Sequence, residues 1–206
     1  VNKSAGSAAV RDEIVSFPDE DLILVNDQDE ETGHLDKLHC HQGSGVLHRA
    51  FSLFVFNQHG ELLLQQRSAD KPLWPLYWSN TCCSHPRRGE SVDFAVNRRL
   101  QQELGLSTEA EFLYKFKYQA QYDDNGAEHE LCWVYLGRCT ADPVPNANEV
   151  EAWRYVSLDR LNAELQQQPE LFTPWFKLEW QELSNTHAAR LNQYTRKLRS
   201  IQNRSI

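Results

Sequence analysis

Apolar residues along this chain fall mostly into short, partly alternating runs cut by polar turns. "DLILVND" (21–27) predicts a strand followed by a turn. "HRAFSLFVFNQHGELLLQQRS" (48–68) predicts a hairpin, two apolar runs around Asn57 and Gly60. The next stretch, "DKPLWPLYWSNTCCSHPRRGE" (70–90), has three prolines and few periodic positions, so it predicts a long loop. Loops of that length in a compact domain are usually functional. "SVDFAVNRRLQQELGL" (91–106) predicts a helix. Phe94, Ala95, Leu100 and Leu104 recur at near-helical spacing, Ser91 can cap it and Gly105 can stop it. Strands are expected over 112–122, 130–139 and 150–156, with the polar "DPVPNANEVE" as a loop before the last. "SLDRLNAELQQQ" (157–168) reads as a second helix, and a final helix starts at Thr173.

Residues 1–18 are small and polar and predict a flexible lead ending at Pro18. That leaves 19–206 as a single domain with a C-terminal helical extension. Strands, hairpin, loop, helix, strands, helix in that order predict an α+β fold: a mixed sheet with flanking helices.

Composition narrows the function. A net charge of −8 argues against a general nucleic-acid binder. No apolar run approaches the ~20 residues of a membrane span. The first residues lack the apolar stretch of a secretory signal, and there is no methionine even at position 1, which fits a processed or trimmed start. The five cysteines are an odd number, two of them adjacent, and none is in a CxxC pair. Adjacent cysteines bridge only under strain, so free thiols in a reducing cytoplasm are expected. The oligomeric state is left open, a monomer included.

Chemistry-bearing side chains gather in four places. "HCHQGSGVLH" carries His41 and His48, "NTCCSHP" carries Cys83 and His85, the end of the helix carries Glu103, and "GAEHELCW" carries Glu128 and Glu130. Taken singly, each has an ordinary reading. The histidines suit a surface loop, Cys83 a small buried hydrophobe, and the glutamates, at i and i+2, one face of a solvated strand. Taken together, three imidazoles and two carboxylates make a mixed nitrogen and oxygen set suited to Mn²⁺, Mg²⁺ or Zn²⁺.

The helix at 91–106 aligns without a gap on the Nudix box, G-x5-E-x7-R-E-U-x-E-E-x-G-U with U apolar. Glu90, Arg98, Leu100, Glu103, Gly105 and Leu106 match. Ser84 replaces the leading glycine, and Arg99 and Gln102 replace two glutamates. In the hydrolases those glutamates hold magnesium against a diphosphate. The scaffold therefore resembles Nudix, while pyrophosphate hydrolysis is disfavoured.

More specifically, "LHRAFSLFVFN", "LLLQQRSADK", "WSNTCCSHP", "ELGL", "EHELCWV" and "TPWF" closely resemble the type I isopentenyl-diphosphate Δ-isomerases, over roughly 21–177. The resemblance implies a Nudix-like fold, isomerisation of isopentenyl to dimethylallyl diphosphate in isoprenoid biosynthesis, and a small-molecule isoprenyl diphosphate as substrate. It places Cys83 and Glu130 as the acid–base pair, with Tyr118 and Trp175 lining the isoprenyl pocket. It assigns His41, His48, His85, Glu128 and Glu130 to a Mn²⁺ or Mg²⁺ ion, with Zn²⁺ an alternative. Glu103, with the Cys83 carbonyl, is matched to a second Mg²⁺ that arrives with the diphosphate. Lys37, Arg67, Lys71 and Arg99 are matched to the diphosphate itself. Cys82, by contrast, is expected to be a structural neighbour pointing away. Two other readings stay open: a Nudix hydrolase of another diphosphate, and a binding module that senses a diphosphate or a metal.

Overall fold

A computed structural model describes residues 11–197, in which nine strands join one mixed sheet. β1 (Asp21–Val25) and β2 (Glu31–Asp36) pair antiparallel, and a short helix α1 (Lys37–His41) follows β2 directly. At the centre β3 (His48–Phe56) lies parallel to β8 (Gly126–Arg138), in register from His48 opposite Glu130 to Phe56 opposite Arg138. β7 (Glu111–Asp123) pairs with the outer edge of β8. β4 (Leu62–Arg67) pairs with β9 (Val150–Val156) and with the two-residue β5 (Trp78–Ser79).

The hairpin expected over 48–68 closes only at its tip, where Phe56 meets Leu62. Beyond that point β4 turns to β9. The free edge of β3 is then taken by β6 (Cys82–Ser84), which emerges from the stretch expected to be one long loop. Thr81 bridges the widening gap: its Oγ1 accepts from Val55 N at 2.8 Å and donates to Leu63 O at 2.7 Å. A buried central strand needs every backbone group paired, and this is how β3 meets that demand as its partner departs.

Both faces of the sheet are covered, so β3 is buried on both sides. Alternate residues serve each face. Phe51, Leu53, Val55 and Tyr135 pack with α2 (Val92–Leu104) through Val96, Leu100 and Leu104. Ala50, Phe54, Cys132 and Val134 pack with Leu161 of α3 (Leu158–Gln167), with Trp175, Phe176 and Trp180 of α4 (Pro174–Asn185), and with Leu191 of α5 (Ala188–Thr195). The predicted ends of α2 are present: Ser91 Oγ accepts from Phe94 N, and Gly105 leaves the helix at φ +66°.

Three expectations need correction. The final helix breaks after Asn185 and restarts at Ala188; its predicted tail over 198–206 lies outside the described residues, as do residues 1–10 of the lead. Residues 11–18 of that lead are packed, not loose. Asn146 Nδ2 donates to Glu13 O, Arg99 Nη1 donates to Val15 O, and Val15 is buried. Finally, β2 and α1 had no sequence signal, because "ETGHLD" is too polar and α1 too short for a period to show.

Phe54 is fully buried and stacks on Phe176 and Trp180 at ring-centroid distances of 6.0 and 6.5 Å. Phe54→Ala should lower unfolding stability by about 3–5 kcal/mol, read as a drop in the urea midpoint at unchanged slope.

Candidate active site

Strand alternation decides which side chains meet. Cys83 lies opposite Ser52, and Cys82 opposite Leu53. Cys82 therefore packs in the α2 core, while Cys83 turns to the α4 side. Glu130 lies opposite His48 on one flank and Tyr118 on the other. Glu128, two residues earlier, shares its face, and His129 turns away toward Gly45 O.

His41, His48, His85, Glu128 and Glu130 converge, with one donor atom from each inside a set spanning at most 4.8 Å. Ligand bonds of about 2.0–2.2 Å to a common ion require donors about this close together. Two of the imidazoles are oriented from behind. His41 Nδ1 donates to Lys37 O at 2.6 Å and His48 Nδ1 to Val46 O at 2.7 Å, which leaves each Nε2 lone pair facing inward. His48 Nε2 and Glu128 Oε2 are buried without a hydrogen-bond partner, although His41 Nε2 lies only 2.9 Å from that oxygen. His41 Nε2, Glu128 Oε2 and the unpartnered His48 Nε2 all face one small space, where an ion would displace the proton that Glu128 favours on His41. The residues fit a divalent cation.

The close approach needs Gly126. A Cβ there would stand 2.3 Å from His41 O, so a larger residue would push α1 off β8 and withdraw His41. Burial lowers His48 to about 3 and keeps it neutral, as a ligand must be. Burial, with the Glu128 charge next in importance, pushes Glu130 well above the carboxylate range. Burial acts the same way on Glu128, but His41 more than offsets it and holds that carboxylate ionised. Two carboxylates on one buried face cannot both stay charged without a cation between them.

Beside the cluster opens a cavity of about 390 Å³. Cys83, Tyr118, Glu130 and Trp175 line its inner part, along with Leu73. Tyr118 OH donates to Glu130 Oε2 at 2.7 Å. Trp175 Nε1 donates to Ser79 Oγ at 3.0 Å, and the same hydroxyl lies 3.9 Å from Cys83 Sγ. Trp74 packs edge-on against Trp175 at 5.3 Å, from a loop where Trp74 and Leu76 both hold positive φ. Arg67 steadies that loop by donating to Leu73 O and Trp74 O, with its guanidinium 5.2 Å from the Trp175 ring. Strained backbone of this kind persists only where its surroundings over-determine it. Burial pushes the Cys83 thiol up to about 12, with Arg67 acting in the opposite sense.

Lys37, Arg67, Lys71 and Arg99 all reach the same cavity. Lys37 is tied to Ser16 Oγ, and burial, with Lys71 and Arg99 nearby, lowers it to about 8. Glu103 is not among the lining residues. It stands one layer behind, bound by Arg99 Nη2 at 2.8 Å and Gln65 Nε2 at 3.1 Å. Sequence reasoning missed two parts of this region. Glu149 lines the cavity and pairs with both Lys71 and Arg99, and residues 14–18 form part of the wall. Neither carried a signal: Glu149 is one of three acids in the polar "DPVPNANEVE", and the other is part of the apparent lead.

Residues 46–176 match the NUDIX domain family. Among solved structures, DR0079 from Deinococcus radiodurans superposes with a TM-score of 0.60 at 23% identity, over 72% of this chain and 90% of that one. A MutT protein from Methanosarcina mazei Go1 gives 0.57 at 17%, over 68% and 95%. At those identities the likeness is one of fold. Sequence relatives are closer. "Isopentenyl-diphosphate Delta-isomerase 1" of Photorhabdus laumondii is 41% identical over 174 residues, 84% of this chain and 99% of the relative. "Isopentenyl-diphosphate Delta-isomerase" of Pectobacterium atrosepticum is 37% identical over 188 residues, 91% and 100%. With this coverage on a mixed sheet flanked by helices, the chain belongs to the type I isopentenyl-diphosphate Δ-isomerase family of the Nudix superfamily.

Proposed function

We propose that this cavity performs the family's reaction with Cys83 and Glu130 as its proton-transfer pair. The chain isomerises isopentenyl diphosphate to dimethylallyl diphosphate, a step of isoprenoid biosynthesis. The observation that supports the assignment is that a thiol and a tyrosine-bound carboxyl, carried by strands on opposite edges of β3, line one cavity together with an indole.

Moving the double bond adds a proton at one carbon and removes one at another, through a tertiary carbocation-like species. Cys83 and Glu130 approach the isoprenyl chain from different strands and handle the two protons. Tyr118 holds the Glu130 carboxyl in position and supplies a hydrogen bond that follows its charge. Trp175 presents its π face to the cation, an interaction worth ~0.5–2 kcal/mol or more when desolvated. The enclosure by Leu73, Tyr118 and Trp175 keeps out water that would trap the cation as an alcohol. A divalent ion held by His41, His48, His85, Glu128 and Glu130, either Mn²⁺ or Mg²⁺ with Zn²⁺ the alternative, would fix Glu130 and temper its basicity. Lys37, Arg67, Lys71 and Arg99 bind the diphosphate. Glu103 and the Cys83 carbonyl would hold the Mg²⁺ that accompanies it, with Glu103 released from Arg99. The replacement of two box glutamates by Arg99 and Gln102 disfavours the hydrolase reading.

Protein loaded with Mn²⁺ and given Mg²⁺ should convert isopentenyl diphosphate to dimethylallyl diphosphate. Cys83→Ala should reduce kcat by roughly 10²–10⁴-fold. Cys82→Ala should stay active, with its cost appearing as lost stability. Equal loss of turnover in both variants would remove the special role of Cys83. Metal analysis of dialysed protein should find one tightly held ion per chain. His48→Gln should lose it, and Gly126→Ala should weaken its binding by roughly 10–100-fold. Retention by His48→Gln at wild-type affinity would rule out the five-residue cluster.

A further inference from the structure

α4 carries a second acid that the reaction above does not use. Glu179 lies one helical turn beyond Trp175, on the same side of the helix, and is 0% exposed. Among the described residues, no basic side chain pairs with it. Cys132 Sγ lies 3.6 Å from its Oε1 and 3.5 Å from Ser52 Oγ, the Ser52 hydroxyl stands beside the carboxyl, and Oε2 has no partner among the described residues. A buried, half-satisfied carboxyl with no counter-cation costs stability and calls for a reason.

Its two partners supply one. Ser52 is the strand neighbour of Cys83, and Cys132 follows Glu130 by two residues on the same face. Tyr114 OH donates to the Glu179 main-chain carbonyl at 3.3 Å, from β7. The carboxyl thus sits where α4 rests on the strands that carry the proton-transfer pair. We propose that Glu179 is a positioning residue: held as the neutral acid, it docks α4 on Ser52 and Cys132 and so seats Trp175 over the isoprenyl pocket, and its ionisation unseats the helix.

Among the described residues, no group that faces the carboxyl is a cation. From β3 there is only the Ser52 hydroxyl. From β8 come Cys132 and Glu130, from β6 Cys83, and from β7 Tyr114, all neutral or acidic. Burial raises the carboxyl to about 8, with Ser52 and Cys132 pulling the other way. The folded-state value lies above the ordinary 4.5. The stability tied to the proton is therefore complete below 4.5 and is lost as pH rises through 8.

The inference rests on the isomerase reading, and the test separates the two. kcat at saturating isopentenyl diphosphate is measured from pH 6 to 10 for the wild type, Glu179→Gln and Ser52→Ala, each normalised to its own plateau. Saturation keeps the ionisation of Lys37 out of kcat by confining it to substrate binding. The wild type should lose roughly tenfold in kcat through an ionisation near 8. Glu179→Gln should lack that fall, and its thermal midpoint should gain on the wild type as pH rises from 6 to 9. Ser52→Ala removes a neighbouring hydroxyl that favours the ionised form, so it should move the fall to higher pH. Glu179→Leu should lower kcat at every pH with KM unchanged. Superimposable wild-type and Glu179→Gln profiles would overturn the proposal while leaving the isomerase intact. If Glu179→Gln does not fold, an unshifted Ser52→Ala profile overturns it equally. No conversion by the wild type at any pH would overturn the isomerase reading, and this one with it.

Discussion

The parallel pairing of β3 with β8 is the constraint on which the rest of this molecule depends. Nine consecutive residue pairs, from His48 opposite Glu130 to Phe56 opposite Arg138, lock the register of the two central strands. Side chains alternate across a strand, so a slip by one residue would send Glu130 and His48 to opposite faces and dissolve the metal-ligand set. The same pairing leaves the other edge of β3 to be filled over Phe51–Leu53, where β4 has turned away. β6 fills that edge, and the alternation of β6 then separates two adjacent thiols, Cys82 into the α2 core and Cys83 into the cavity.

A second consequence is electrostatic. The site gathers many charges into a small buried volume and balances them locally. Glu149 sits between Lys71 and Arg99, Glu103 backs Arg99, and His41 faces Glu128. Buried charges are tolerable only with partners, and these partners also set the positions from which a diphosphate would be met. Where the described residues provide only neutral partners, as at Glu130 and Glu179, the carboxyl is pushed up by burial instead. One cavity is thus lined both by cations, Lys37, Arg67, Lys71 and Arg99, and by the apolar or aromatic side chains of Leu73, Tyr118 and Trp175.

Much of the fold was legible along the chain. The runs at 112–122, 130–139 and 150–156, the capped α2 and the helix after Ser157 follow from periodicity and cap chemistry, which are local. The residues of the site were legible through motifs, since "NTCCSHP" and "EHE" specify residue types at close spacing. Strand partners were not. Whether β4 stays with β3 or leaves for β9 depends on which of two edges satisfies more backbone groups, a comparison between segments about ninety residues apart. Glu149 and the 11–18 segment escaped notice for the same reason: nothing near them in sequence marks them, and only their packing against Arg99 and Lys37 gives them a place.

By itself, then, the sequence determined the element types, the two-residue spacing that puts Glu128 and Glu130 on one face, and the loss of two Nudix-box carboxylates at Arg99 and Gln102. Those are properties of local backbone geometry and residue chemistry. The tertiary structure alone decided that His41, His48 and His85 meet those glutamates within 4.8 Å, that Glu103 is held behind Arg99, and that Glu179 lies buried without a cation. Convergence of distant segments is set by sheet register and by the demand that buried polar groups find partners, and neither acts until the chain has folded.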